Sequence, residues 1–155
     1  MWSNQHGLPI FSSCVPEVTL WLPGSWNHGG KKLTISEAIS RIDAIKSNAY
    51  GSNSKVYWLS VLDGRIKKEI IDTHEDAENV EFSGYSDSTP YNTALLVPAP
   101  YDDIYQKWLE SCIDYANGEY GKYNNSVTVF NDAYAAYERY YNRTHMPHGK
   151  KFVFF

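Results

Sequence analysis

Cysteine is scarce in this chain of 155 residues: there are two, Cys14 and Cys112. They show neither metal-ligand spacing nor a disulfide framework, and a reducing compartment suits such usage. No apolar run reaches the roughly 20 residues that a membrane-crossing helix needs, and no basic segment leads into a short apolar core of the secretory kind. The sequence therefore predicts a soluble, unexported protein with no membrane partner. Positive charge is not in excess either. With a net charge of -4, a chain whose main work is gripping nucleic acid is disfavoured, because phosphate binding needs a net basic face. No glycine-rich phosphate loop is present.

Aromatic residues are plentiful, with 13 tyrosines and 5 tryptophans. Such side chains combine large contact area with a polar tip, which suits a tyrosine-rich core or an assembly surface. The longest regular pattern runs over residues 117–143. Tyr120, Tyr123, Val127, Phe130, Tyr134, Tyr137 and Tyr141 recur at steps of three and four, which is helix spacing. Ala133, Ala136 and Tyr140 form a second line where another helix can approach closely. This long helix is the expected spine, with two covered faces.

The rest of the chain reads as one all-α domain of about four helices. Residues 1–32, with Pro9, Pro16, Pro23 and three unphased tryptophans, form an irregular extension. The run Gly29-Gly30-Lys31-Lys32-Leu33 can be encoded by a ribosome-binding sequence ahead of a TTG start codon, so the extension is expected to be a translated leader; an arm wrapping a neighbouring subunit is the alternative. The domain itself spans 33–147. Thr34 and Glu37 have capping-box spacing ahead of Ile35, Ala38, Ile39 and Ile42. A second helix is expected from about Ser54 to Thr73, with Val56, Leu59, Leu62, Ile66 and Ile70 inward and Asp63, Lys67 and Asp72 mostly outward. An extended loop, residues 74–97, separates it from a third helix starting near Tyr101. There Ile104, Trp108, Cys112 and Tyr115 form the inward stripe, with Tyr105, Leu109 and Ala116 beside it. Asn117-Gly118 breaks the chain before the spine. Pro147 blocks further helix, and residues 148–155 form a basic and aromatic tail.

No constellation for chemistry stands out. Asp72, His74, Glu75, Asp76 and Glu78 are dense in ligand atoms but match no known ligand spacing, and Pro147 keeps His145 and His148 off a common helical face. Cys112, on a helix stripe, reads as a buried apolar thiol. No catalytic, metal or cofactor residues are assigned. What remains is recognition by surface: tyrosines on the third helix and spine, and a tail that could fill pockets on another chain.

Several stretches resemble one family. They are Leu62-Asp63-Gly64-Arg65-Ile66, Lys68-Glu69-Ile70-Ile71, Thr73-His74-Glu75, the run from Leu95 through Pro98-Ala99-Pro100 to Tyr105, Ile113 to Glu119, Tyr123 to Ser126, and Tyr140 to Pro147. Together they look like a small structural protein of the morphogenesis modules of tailed phages and prophages of Gram-positive bacteria, similar to head-tail connectors (adaptors). The resemblance implies a non-enzymatic virion protein, found in the host cytoplasm during assembly. Its copies would form a closed ring, a dodecamer, under the portal at the phage neck. Its partners would be itself, the portal protein and the next neck or tail-completion protein, with DNA passing through the lumen unread. In such adaptors a loop reaches toward the channel, here residues 74–97, and a terminal tail docks on the portal. Mapped here, Lys150, Lys151, Phe152, Phe154 and Phe155 are the expected portal contacts, and Tyr105, Tyr115, Tyr134 and Tyr140 the expected ring contacts. The alternative is a DNA-binding or packaging accessory protein of a phage.

Overall fold

A computed structural model describes residues 30–149. The expected leader, apart from its last three residues, and the basic aromatic tail from Lys150 onward lie outside them. The described chain is mostly helical, and a two-stranded sheet accompanies the helices. Strand β1 (Lys32–Thr34) leads into α1 (Ile35–Ile45), followed by α2 (Ser52–Glu69), β2 (Ala94–Pro98), α3 (Asp103–Ala116) and α4 (Tyr120–Thr144).

Helix α1 starts where the capping box predicts. The Glu37 N–H donates to the Thr34 hydroxyl at 3.2 Å, and the Thr34 N–H donates to the Glu37 carboxylate at 2.9 Å. Hydrogen bonds from the Thr34 backbone and hydroxyl hold the Glu37 carboxyl below its ordinary range. Replacing Thr34 by Ala should cost about 1 kcal/mol of unfolding free energy, the usual worth of such a cap, read by urea titration. Next to it, Ile35 and Ser36 donate their amides to the carbonyls of Thr93 and Tyr91, so the start of α1 is fastened to the approach to β2.

The all-α expectation holds in part, because this small sheet accompanies the helices. β1 and β2 are antiparallel, with Lys32 opposite Pro98 and Thr34 opposite Ala94. Leu33, Leu95 and Val97 are buried beneath them. The loop expected over residues 74–97 is therefore shorter, since Leu95 and Val97 are core. Gly30 also belongs to this corner: a Cβ there would stand 2.2 Å from the Ala99 carbonyl oxygen, so only glycine allows the approach.

Along α2, Val56, Leu59, Leu62 and Ile66 are buried as the 3.6-residue period predicts, and Ile70 and Ile71 follow. The helix ends at Glu69, and a short 3₁₀ turn, Ile71–Thr73, replaces its expected last turn. A second 3₁₀ turn, Glu75–Asn79, begins the long connection to β2. Gly118, at φ +74°, supplies the left-handed residue that turns α3 back into α4.

The spine is covered only in part. Phe130, Tyr137 and Tyr141 are buried, whereas Tyr120 is 63% exposed and Val129 is 49% exposed. The expected stripe of α3 is also rotated by about one residue. Ile104, Tyr105, Leu109 and Ile113 are buried, while Trp108 and Cys112 are half-buried and Tyr115 is 60% exposed. Aliphatic side chains and Tyr105, whose hydroxyl has buried partners, take the centre, and Trp108 and Tyr115 take the boundary.

Candidate functional site

The interior holds one acidic group that the sequence reading placed outward. Asp63 is fully buried on α2. Its carboxylate accepts from the Tyr105 hydroxyl at 2.7 Å, the Tyr85 hydroxyl at 2.5 Å and the Leu96 N–H at 3.2 Å. Tyr105 in turn accepts from the Val97 N–H at 2.8 Å, and the Tyr85 N–H donates to Ser60 at 2.8 Å. Burial pushes the Asp63 carboxyl up to about 6, although its three donors favour the charged form. Burial and the facing carboxylate raise both tyrosines well above their ordinary value. With the Asp63 carboxylate closed off from the surface and both of its oxygens engaged, the cluster ties α2, α3, β2 and the connection ahead of β2 together.

The exposed chemistry is aromatic. Trp58 and Trp108 lie against each other's helices, the Trp108 indole N–H donating to the Trp58 carbonyl at 2.8 Å. With Cys112, Tyr115 and Tyr123 they line a cleft of about 210 Å³. Tyr115 meets Tyr120 edge to face at 6.1 Å and Tyr123 at 5.3 Å. Tyr57, 65% exposed, and Val61 extend the apolar surface around α2. Burial raises the Cys112 thiol to about 12, so it stays protonated and unreactive at neutral pH. The cleft offers wide apolar contact and hydroxyl tips, which suit binding.

The four expected ring contacts fare differently. Tyr105 is the clearest correction: it is fully buried, because its hydroxyl is needed by Asp63 and the Val97 amide. Tyr115 is exposed at the aromatic cleft. Tyr134 is half-buried and donates to Glu69 at 2.7 Å, while the Arg65 guanidinium stands 5.0 Å from its ring; the Tyr134 hydrogen bond and the nearby Arg65 lower the Glu69 carboxyl. Tyr140 is half-buried 4.7 Å from Tyr101. The portal contacts Lys150, Lys151, Phe152, Phe154 and Phe155 lie outside the described residues.

Among the described residues no three His, Cys, Asp or Glu side chains converge as a metal site requires. Asp72 pairs with Lys67, and His74 is buried against Tyr141 at 4.9 Å. A second crevice, of about 310 Å³, gathers Lys46, Lys107 and Lys122, but Asp114, Asp103 and Glu119 neutralise them. No described helix is long and apolar enough to cross a membrane.

Comparison with protein-family models, with curated proteins and with solved structures finds no match.

Asp63, Tyr85 and Trp58 were missed as organising residues. A signal existed for Asp63: it falls in the three-and-four series Val56, Leu59, Asp63, Ile66, Ile70, the phase of the buried face. Tyr85 and Trp58 carry no comparable local mark.

Proposed function

We propose that this chain is a virion structural protein of the head-tail connector kind, whose helices form a bundle that repeats around a closed ring at a phage neck. The exposed aromatic face of α3 and the first half of α4, centred on Tyr115, carries the proposal. Aromatic residues are enriched in protein interfaces, and large exposed apolar patches mark such interfaces. A second copy is the occupant assigned to it, in a head-to-tail contact of the type that closes rings. The stretches that resemble a small structural protein of phage morphogenesis modules and the acidic net charge, which would let DNA slide past ring walls, support the same reading. The portal protein and the next neck component are the partners this role requires.

Co-purification with the portal protein of the same genome, followed by electron microscopy, tests the proposal. A ring at the portal's narrow end is expected; a monomer that ignores the portal would reject it. A narrower prediction concerns the contact itself. Tyr115→Arg should leave stability within about 0.5 kcal/mol of wild type, as exposed substitutions do, yet weaken self-association at least tenfold by sedimentation. Unchanged association would remove Tyr115 from the contact.

A further inference from the structure

The last described residues are held against the body in a defined direction. Pro147 forms an isolated antiparallel bridge with His74. Glu75 donates its N–H to the Met146 carbonyl at 2.9 Å, and His148 donates its own to the Thr73 carbonyl at 2.9 Å. The chain thus runs opposite to residues 73–75 and passes Thr73 on the side that leads back to Asp72 and Ile71.

Ile71 is one wall of a groove of about 170 Å³ between α4 and β2. Val80, Leu96, Tyr137 and Tyr140 supply more of its apolar lining, and Lys32 and His145 are also part of it. The sequence continues past Gly149 with Lys150-Lys151-Phe152-Val153-Phe154-Phe155. Six extended residues reach roughly 20 Å, so the groove next to the point of departure is within range.

We propose that residues 150–155 seat in this groove of their own chain, Phe152 and Phe154 entering the aliphatic and tyrosyl lining while Lys150 passes beside Asp72. Three phenylalanines in the last four residues are an apolar segment that gains by leaving water, and alternation sends Phe152 and Phe154 to one side of an extended strand. The tether decides between the chain's own tail and that of a second copy. So short a link gives an effective concentration on the order of millimolar, which outweighs a neighbour at micromolar protein. The groove is then a holding site for the tail in the free protein, and any partner that takes the tail must first withdraw it. This inference concerns the isolated chain and does not depend on the connector reading.

Disulfide trapping in the full chain tests it. In a Cys14→Ser, Cys112→Ser background, Lys32→Cys with Phe154→Cys places one thiol in the groove lining and one on the tail. Tyr57→Cys with Phe154→Cys is the control, because Tyr57 is exposed on α2 and outside the groove. The groove pair should close within one chain at least ten times faster than the control. A bridge formed only between chains, or no rate advantage, overturns the proposal. Trypsin gives a second reading without cysteines. Cleavage after Lys150 and Lys151 should be at least fivefold slower in the wild-type chain than in Phe152→Ser/Phe154→Ser, and equal rates overturn the proposal as well.

Discussion

Asp63→Ala is expected to lose about 3–5 kcal/mol of unfolding free energy. The change strips the partner from two tyrosyl hydroxyls and one backbone amide, and a buried donor left unsatisfied costs about 1–3 kcal/mol. Part of that loss is offset, because the substitution also removes a charge that was costly to bury. Urea denaturation at pH 7 measures the result, and a loss under 1 kcal/mol would show that the cluster is dispensable. Tyr85→Phe removes only one of the three donors, so it should cost less.

The same carboxyl sets a pH dependence of unusual sign. Its ordinary value is 3.8 and its folded value about 6, so between these limits the folded state binds more protons than the unfolded one. Stability from this group is then highest at the acidic end and falls as pH rises from about 4 to about 6. At 1.36 kcal/mol per unit the change is on the order of 3 kcal/mol. Asp63→Asn should abolish this slope whatever its own stability, since its amide does not titrate. A wild-type curve that rises through that window, once other groups are matched by the Asn variant, would contradict the assignment.

Phe130→Ala is the second large effect. Phe130 is almost fully buried, 4.9 Å from Trp108 and 5.8 Å from Tyr134. It is the first residue of α4 to enter the core. Truncating a buried phenylalanine costs about 3–5 kcal/mol through lost burial and the cavity left behind. At roughly 3 °C per kcal/mol for a domain of this size, melting should fall by about 10 °C or more. The same truncation at Tyr120, which is largely exposed, should shift it little.

Local rules were legible in the sequence, and contacts between distant residues were not. The capping box, the turn at Gly118 and the buried face of α2 follow from short-range spacing, and they appear where that spacing puts them. Strand β1 has three residues and merges directly into a cap, so no alternation marks it. It exists because β2, far along the chain, offers it a ladder. Asp63 was read outward because carboxylates avoid the interior unless they are paired, and its partners sit on other elements. On α3 two adjacent faces are both apolar, and only the packing of neighbours decides which one turns inward. Tyrosine content alone does not say which rings are buried: Tyr105 and Tyr137 lie in the core, whereas Tyr115 and Tyr120 are exposed.

The pairing of Lys32 with Pro98 and of Thr34 with Ala94 has a kinetic consequence. During synthesis β1 must wait until both following helices and the long connection have emerged before its partner exists. Ring closure over so long a span is entropically slow compared with the neighbouring hairpin of α3 and α4. Nascent chains should therefore gain helix early and lock β1 late, a delay visible as slow amide protection at Ile35 and Ala99, whose N–H groups donate across this contact to Thr93 and Lys31.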